Sequence, residues 1–443
     1  MNDIKKAVEK HSQLMFDAEK FIWNHPETGY REIETSKYME DVFEGLGYEL
    51  TRAGNIPGFY TVLDTGKPGP EILILGEMDS VICPTHPECN PKTGAVHACA
   101  HHTQCATLIG IAAALKEPGI LDKFCGRIKL CAVPAEELLE IEFRSELKEK
   151  GIIKYFGGKS EFMHRGFFNT TDIAFMVHTS SAFRVYSGAV GCMAKTVIYK
   201  GKSSHAGGSP WEGKNALYAA NCGLNAINAI RENFQEKDII RVHPIITNGG
   251  AMVNAIPATT TMESYVRGSN FEGIVNANKR VNQALVGAAL SINTNVEICD
   301  FPGYAPLIND INMIKLAEDA ARLAIPHHQF TIEAEMEAGS TDMGDLCCVM
   351  PVVHPYSGGR YGAAHSADVY IEDSTVACVD SATWQLAMLK LLLDDNGKRA
   401  YEIKKNFKSP FSSIKEYLEY SDSLNDSGNR ITYNEDGTAN IRL

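Results

Sequence analysis

The sequence predicts an α/β protein in which a mostly parallel sheet, flanked by helices, carries an inserted α+β domain. A chain of 443 residues is too long for one ordinary hydrophobic core. Short apolar strands alternate with helical segments up to residue 187, which favours a parallel sheet wrapped by helices. From Gly188 the pattern changes to alternating strands and two long helices, which is typical of a compact α+β unit.

These patterns divide the chain into four segments. Residues 1–187 and 304–404 are predicted to form the main domain, and residues 188–303 the inserted one. Residues 405–443 are polar and rich in Ser, Asn, Asp and Gly, so we expect a loosely packed tail.

The elements of the main domain begin with helical periodicity over residues 2–24 and 33–47. The predicted elements that follow are strands FYTVLDT and EILILGEMD, helix TLIGIAAALK, strands RIKLCAVPAEE and DIAFMVHTS and, late in the chain, helices INDINMIKLAEDAARLA and SATWQLAMLKLLLDD. The inserted domain is predicted to contain strands MAKTVIYKG, RVHPIITNG, TTTMESYVRG and TNVEICD, with helices NALYAANCGLNAINAIRENF and NFEGIVNANKRVNQALVGAALSI.

Composition excludes some classes of function. A formal charge of −13 argues against nucleic acid as a partner, because phosphate binding needs clustered Lys and Arg. No apolar run reaches membrane-spanning length and the first residues are polar, so we expect neither a membrane span nor a signal peptide. Twelve irregularly spaced cysteines favour reduced thiols in the cytoplasm. Small molecules or peptides are the expected ligands.

Potential metal ligands follow several of the predicted strands. Because ligands of open parallel sheets bind beyond the carboxyl ends of the strands, these side chains are expected to meet at one edge. The candidates are Asp79 after EILILGEMD, Cys99 and His101 before the next helix, Glu136 and Glu137 after RIKLCAVPA, His178 after DIAFMV, and His365 in YGAAHSADV. Their joint placement favours a metal site.

Each of these residues also has a structural interpretation. A lone buried histidine such as His178 is more often a hydrogen-bonded core residue, and Cys99 alone is most simply a small buried hydrophobe. The pair Glu136–Glu137 alone would be a solvated helix start. Within a metal site, however, one carboxylate could bind metal while its neighbour stays free as a general base. Two ions about 3.5–4 Å apart would lower the pKa of a water and hold a substrate carbonyl.

Together these residues and their surrounding motifs resemble the M20 metallopeptidases, in particular their amidohydrolase/aminoacylase branch. HPETGYREIET resembles the family's entry helix, GEMDSV its DMDAL motif, HACAHH its HACGHD motif and MVH its histidine strand, and PAEE matches outright. GKSSHAGGSPWEGKNAL and NGGAMVNAIPATTTMESYVRG are most similar to the p-aminobenzoyl-glutamate hydrolase and dipeptidase-like subgroup.

The resemblance implies a zinc-peptidase-like catalytic domain and a ferredoxin-like lid that also forms a dimer interface. It implies two divalent metal ions, zinc or manganese first, with cobalt or nickel open. The implied metal ligands are Cys99, bridging both ions, with His101, Glu137, His178 and His365.

The resemblance also assigns the remaining site residues. Glu136 would be the general base and Asp79 would orient the ligands. His205 would reach the partner subunit's active site and stabilise the oxyanion, while Asn254 and Arg267 would hold the substrate's terminal carboxylate. On their own, His205 could be exposed polar surface and Arg267 part of a surface ion pair.

The sequence departs from the family pattern at several positions. Ala100 replaces a glycine, His102 replaces an aspartate, Gln104 stands where many relatives have a histidine, and Glu77 replaces the first acid of DMD. His102 could be a further ligand or an outward-facing neutral residue. The segment between Glu137 and His178 is long and charged, and it could shape the substrate pocket or an oligomer contact.

The leading hypothesis is therefore a metal-dependent amidohydrolase that cleaves an N-acyl amino acid, an aminobenzoyl-glutamate-like conjugate or a small dipeptide. The alternative is a catalytically impaired small-ligand-binding protein on the same fold, motivated by HACAHH. A third hypothesis places a structural zinc or iron–sulfur centre in the loop with Cys83, His86 and Cys89, although its spacings lack the usual C-x2-C hooks.

Overall fold

The computed structural model describes all residues from 1 to 443, and the chain divides into two compact units. Unit 1 comprises Met1–Gly188, Leu307–Glu337 and Thr341–Ile414. Unit 2 comprises Ala189–Pro306, Ala338–Ser340 and Lys415–Leu443. The predicted combination of an α/β domain with an inserted α+β domain is confirmed, because unit 2 interrupts unit 1 along the chain.

Thirteen α-helices form. In chain order they are α1 (Asn2–Lys10), α2 (Ser12–Trp23), α3 (Ile33–Gly45), α4 (His101–Leu115), α5 (Ile141–Glu149), α6 (Gly158–His164), α7 (Ala216–Ile230), α8 (Phe271–Ser291), α9 (Ile311–Ala324), α10 (Met343–Cys347), α11 (Ser381–Leu393), α12 (Lys398–Asn406) and α13 (Ile414–Ser423).

The strands range from two to ten residues. In chain order they are β1 (Thr51–Arg52), β2 (Phe59–Asp64), β3 (Glu71–Glu77), β4 (Val81–Ile82), β5 (Ala95–Val96), β6 (Arg127–Val133), β7 (Ile173–Phe175), β8 (His178–Thr179), β9 (Phe183–Ala189), β10 (Gly191–Lys200), β11 (Arg241–Val242), β12 (Ile245–Asn248), β13 (Thr259–Gly268), β14 (Asn295–Tyr304), β15 (Leu307–Ile308), β16 (Phe330–Glu337), β17 (Val352–Val353), β18 (Tyr356–Ser357), β19 (Arg360–Tyr361), β20 (Tyr370–Ile371), β21 (Asp426–Asn429), β22 (Ile431–Tyr433) and β23 (Ala439–Ile441).

Unit 1 is built on a six-stranded sheet with the order β1-β2-β6-β3-β7-β17. Strands β6, β3, β7 and β17 run parallel, and β2 joins β6 in antiparallel pairing. Every residue of β3 is buried, as expected for a central strand covered on both faces. A second sheet, with the order β15-β9-β18-β8 and β16 paired to β9, lies in the same unit.

The helix α4 forms the centre of the unit 1 core. All fifteen of its residues are buried, and the elements it packs against include α2, α11 and β3. The helix from Thr375 to Leu393, a π-helical turn followed by α11, is apolar and long enough to cross a membrane. Most of it is buried within the fold, where Trp384 donates a hydrogen bond to the Ala317 carbonyl at 2.9 Å. The same length and composition are found in core helices of globular domains.

Unit 2 is an antiparallel sheet with the order β11-β13-β10-β14-β21, to which β12 is added beside β13. Burial alternates along β13, because α7 and α8 pack on one face only. Both helices have asparagine N-caps: Asn215 accepts from the Tyr218 N–H at 3.0 Å and Asn270 from the Gly273 N–H at 2.8 Å.

The C-terminal segment differs from the loosely packed tail expected from its composition. Residues 398–406 form α12, and residues 415–443 belong to unit 2, where β21 pairs with β14. The side chain of Arg430 is fully buried, contacting Asp426 at 2.7 Å and the Ile298 carbonyl at 3.1 Å. The prediction failed because backbone pairing along β14, together with a few buried apolar side chains such as Tyr417 and Ile431, holds this mostly polar segment.

Candidate metal centre

The candidate centre lies in unit 1, beyond the carboxyl ends of the parallel strands. The register pairs Glu77, the last residue of β3, with Val133, the last residue of β6. The residues that follow these two ends therefore emerge side by side. This edge brings together Asp79 after β3, Glu136 and Glu137 after β6, His178 at the start of β8, and Cys99 and His101 at the start of α4.

One group of potential ligand atoms consists of Cys99, His101 and His178. Their atoms all lie within 4.8 Å of one another, and Cys99 Sγ is 3.3 Å from His178 Nε2. Burial alone would raise the pKa of the Cys99 thiol, but the imidazoles of His101 and His178 hold that pKa well below its usual value. The site thus favours a thiolate, the form in which cysteine binds metals.

A second group consists of Cys99, Glu137 and His365. These atoms also lie within 4.8 Å of one another, and His365 Nε2 is 2.9 Å from Glu137 Oε1. The adjacent Glu137 carboxylate raises the pKa of His365 to about 11. Since Cys99 belongs to both groups, its sulfur could serve as a ligand in each of them.

The donor set fits a dinuclear centre. Sulfur, imidazole nitrogen and carboxylate oxygen together suit borderline divalent ions. His101 Nε2 is buried and makes no hydrogen bond, although it lies 3.3 Å from Glu77 Oε2 and 3.9 Å from Glu136 Oε2. A buried nitrogen that faces carboxylates without a hydrogen bond is what a metal-ligating imidazole would show in the absence of its ion.

A third close group joins His101 to two carboxylates, those of Glu77 and Glu136. The pKa of Glu136 is raised well above its usual value, first by burial and then by the negative charges of Glu77 and Glu137. Such a carboxyl group is better able to take up a proton near neutral pH than an exposed glutamate.

Asp79 connects the two sides of this centre. Its Oδ1 lies 3.2 Å from His101 Nδ1, and its Oδ2 accepts a hydrogen bond from the Glu137 backbone N–H at 2.8 Å. The Asp79 carbonyl is also 2.9 Å from His101 Nδ1. With Nδ1 engaged in this way, Nε2 is the ring nitrogen that faces the centre.

Two buried residues hold Glu77, a role that the sequence analysis assigns to neither of them. The Lys159 ammonium contacts Glu77 Oε1 at 2.5 Å and also binds Asp342, and Gln104 donates to Glu77 Oε2 at 2.8 Å. Lys159 lies on α6, within the charged segment that we expected to shape a pocket or an oligomer contact. That segment also supports the frame of the centre, because Arg144, from α5, donates to the Glu137 carbonyl.

His102 occupies neither of the two positions considered for it. It is fully buried beneath the centre, with Nε2 3.3 Å from Glu19 Oε1 and its ring 5.0 Å from that of Trp23. Burial lowers its pKa, so the ring is neutral at pH 7. The neighbouring Ala100, the N-cap of α4, has a left-handed backbone with φ of 71°, a conformation that favours glycine.

The three remaining predicted residues lie in unit 2. His205 is exposed, and its Nδ1 accepts from the backbone N–H of Gly208 at 2.9 Å, which leaves Nε2 pointing away as the protonated nitrogen. Asn254 is adjacent, because its carbonyl accepts from the Ala206 N–H at 2.9 Å.

Arg267 is held by neutral groups. Its Nε lies 3.1 Å from His243 Nε2, and its Nη1 donates to Ser340 Oγ at 3.1 Å. It forms no ion pair, contrary to the surface pair considered from the sequence. A guanidinium positioned by neutral partners keeps its charge available for an anionic ligand.

The loop with Cys83, His86 and Cys89 does not form a metal site. His86 Nε2 faces the Val369 carbonyl at 2.8 Å, and His86 Nδ1 accepts from the Glu88 N–H at 3.1 Å. The nearest partners of Cys83 and Cys89 are oxygen atoms at 3.6 Å. Because both ring nitrogens of His86 are engaged by protein groups, the structural-centre hypothesis is not supported.

The fold and this cluster define a metallopeptidase of the M20 type, and comparison with known proteins agrees. The model of "Peptidase family M20/M25/M40" matches residues 73–383, and the chain belongs to that family.

The chain shares less than a third of its residues with each of three individual relatives. The chain is 28% identical to the Xaa-Arg dipeptidase of Homo sapiens over 384 residues, which cover 83% of this chain and 81% of that protein. It is 27% identical to one of the subunits of p-aminobenzoyl-glutamate hydrolase from Escherichia coli, over 67% of this chain and 60% of that protein. A dinuclear metal binding peptidase of the M20 family from Bacillus subtilis superposes with a TM-score of 0.63 at 19% identity, covering 87% and 99% of the two chains.

The predicted family, the predicted fold and the predicted class of reaction are therefore confirmed. The protein is a metal-dependent hydrolase of amide bonds, and its candidate ligands form two groups that could each hold a divalent metal ion. No comparison favours the alternative of an impaired binding protein.

Proposed function

We propose that this protein hydrolyses the amide bond of a small dipeptide or N-acyl amino acid with a free carboxylate. The observation that carries the substrate class is Arg267, a guanidinium held by His243 and Ser340 without an acidic partner. Planar, two-pronged donors of this kind bind carboxylates. The dipeptidase and aminobenzoyl-glutamate activities named for its relatives are consistent with such a substrate.

The roles of the ligand residues follow from the two groups that share Cys99. His101 and His178 would hold one ion and Glu137 and His365 the other, with the Cys99 sulfur between them. When bound, two divalent ions activate a water molecule and polarise the amide carbonyl. Mixed sulfur, nitrogen and oxygen ligands accept zinc, manganese, cobalt and nickel. Zinc and manganese are our first candidates, and cobalt and nickel come next.

Glu136 is proposed as the general base. Its raised pKa suits it to take the proton of the attacking water and then to deliver it to the leaving amine. Asp79 fixes the tautomer of His101 and the position of the Glu137 backbone. His205 would donate its Nε2 proton to the oxyanion in the partner subunit's active site, and Asn254 would help to hold the substrate's terminal carboxylate.

We further propose a homodimer that forms through unit 2. Every residue of β12 is exposed, and β12 pairs with the sheet only through β13. At the opposite edge β14 is covered by β21. Large apolar side chains are exposed in the same unit, including Ile245, Trp211 and Val253. I245K should convert dimer to monomer in light scattering, while I332K, an exposed site in unit 1, should leave the dimer intact.

The twelve cysteines all carry free thiols, which supports our proposal of a cytoplasmic enzyme. Membranes and nucleic acids are not proposed as partners.

The decisive experiment for the catalytic proposal is E136Q with metal analysis. Loss of the base should lower kcat by about 10²–10⁴-fold while about two metal ions per chain remain bound. E142Q, an exposed carboxylate on the neighbouring helix α5, is the matched control and should keep wild-type turnover. Full activity in E136Q would refute the assigned base.

A further inference from the structure

A second group of metal-ligating side chains lies in unit 1, outside the centre described above. It consists of His327, His328 and Asp380, whose ligand atoms all lie within 4.8 Å of one another. The two histidines lie in the turn between α9 and β16, and Asp380 is the last residue before α11. None of them belongs to a motif that the hydrolytic function uses.

The three side chains converge on one point. Asp380 Oδ2 is 2.8 Å from His328 Nε2 and 3.3 Å from His327 Nε2. The ligands of a tetrahedral zinc ion with bonds of about 2.0–2.1 Å are separated by about 3.3–3.4 Å. The two distances from Asp380 are close to this separation, and the two imidazole nitrogens lie within 4.8 Å of each other, so an ion could enter between the three atoms after side-chain movements.

Two of the ligands are already fixed by the core. The His328 ring stacks on Phe183, with centroids 4.5 Å apart, and Phe183 in turn packs edge-on against Trp384 of α11. Asp380 is positioned by the helix that follows it, and its side chain is only 15% exposed. His327 is 52% exposed, so the group is open to solvent on one side. Ligands held in place in this way lose little conformational freedom on binding an ion.

From this geometry we propose a third, mononuclear site for a divalent transition ion of the zinc type. His327 and His328 would bind through Nε2 and Asp380 through one carboxylate oxygen, and water would complete the coordination. The ion would enter between the Asp380 carboxylate and the two imidazoles. It would join the turn before β16 to the junction between the π-helical turn and α11, so its effect is on stability rather than on the hydrolytic reaction.

Zinc counting on the full-length protein tests the site. Protein prepared without a histidine tag is stripped of metal and dialysed against zinc, and bound zinc is measured by mass spectrometry. H327N and D380N should each bind about one ion less than wild type, because a site of three protein ligands loses affinity when one is removed. H25N is the matched control: His25 also neighbours a carboxylate, Glu34 at 3.7 Å, but has no second imidazole there.

Cobalt distinguishes this site from the Cys99 centre. An ion bound by thiolate gives a strong near-ultraviolet charge-transfer band, whereas a site of two imidazoles and one carboxylate has no sulfur ligand to produce one. The equivalent lost in H327N should therefore leave the thiolate band unchanged.

Either of two results would overturn the proposal: an unchanged zinc count in H327N, or a missing equivalent that removes the thiolate band. Because His327 is exposed, H327N decides the question even if D380N folds poorly. The zinc count of H327N does not depend on the result of the E136Q experiment, so the third site and the catalytic proposal can fail separately.

Discussion

The Lys159 ammonium lies 2.5 Å from the Glu77 carboxylate, and both side chains are completely shielded from solvent. Burial alone would lower the pKa of Lys159, but Asp342 and Glu77 hold that pKa above its usual value. Lys159 thus pairs with two buried carboxyl groups behind the candidate metal centre, and one of them, Glu77, faces His101.

Replacing Lys159 by methionine should therefore destabilise unit 1 strongly. The variant keeps the volume of the side chain but leaves two buried carboxylates without a cation, which costs about 3–5 kcal/mol of unfolding free energy. Urea denaturation measures the loss. K200M, which breaks the solvent-exposed pair with Glu297, should cost less than about 1 kcal/mol. Equal losses in the two variants would show that the buried cation has no special role.

Arg267 provides a test of substrate recognition. R267A should lower kcat/KM about ten- to a hundredfold for an N-acyl amino acid, because a hydrogen bond to a charged group contributes about 1.5–3 kcal/mol. The same substrate with a C-terminal carboxamide should be much less affected. R241A is the matched control, since Arg241 lies directly opposite Arg267 on the neighbouring strand and is exposed. Similar losses with both substrates would contradict carboxylate binding.

The backbone of Ala100 predicts an unusual response to glycine. In A100G, relief of the left-handed strain, about 1–2 kcal/mol, offsets the lost methyl group and the greater freedom of the unfolded chain. Its unfolding free energy should stay within about 0.5 kcal/mol of wild type.

A113G provides the comparison, because Ala113 is buried in the same helix with ordinary geometry and should lose about 1–2 kcal/mol. Denaturant titration of both variants separates the two cases. A large loss in A100G would mean that its methyl group matters more than its backbone strain.

His354 should make stability depend on acid pH. Burial, followed by the nearby His178, lowers its pKa to about 3. In the unfolded chain His354 takes up a proton near pH 6.5, whereas in the folded chain it stays neutral until the pH is much lower. The free energy of unfolding is therefore not reduced by His354 above pH 6.5, and it falls as the pH drops from 6.5 towards 3. H354Q should lose about 2 kcal/mol less than wild type between pH 7 and pH 5, measured by urea unfolding of metal-stripped protein. H25Q, at a more exposed histidine, should keep the wild-type difference.

Much of the candidate centre could be predicted from sequence because its ligands follow strand ends. The fully buried β3 and the largely buried β6 identify one sheet edge, so the sequence alone places Asp79, Glu136 and Glu137 together. The same argument from strand ends predicts that His178, at the start of β8, lies at this edge. His365 lies late in the chain and is a sequence candidate for the same edge, and its backbone N–H donates to the Ala98 carbonyl.

The supporting residues could not be predicted in this way. Lys159 and Asp342 are 183 positions apart, and neither follows a strand of the main sheet. A buried ion pair has no periodic signal in sequence, since each partner alone resembles a surface charge. The same limitation applies to Arg430, which is buried by a segment whose composition suggested a loose tail.

The position of strand β21 in the chain affects how unit 2 folds during translation. This strand pairs with β14, yet all of residues 307–414 are synthesised between the two strands. When β14 has emerged from the ribosome, the edge of its sheet is therefore still unpaired, because β21 has not yet been made. Unpaired sheet edges recruit other chains. This interval in translation is when aggregation or a chaperone would compete with folding, and a stop codon before residue 426 would make the exposed edge permanent.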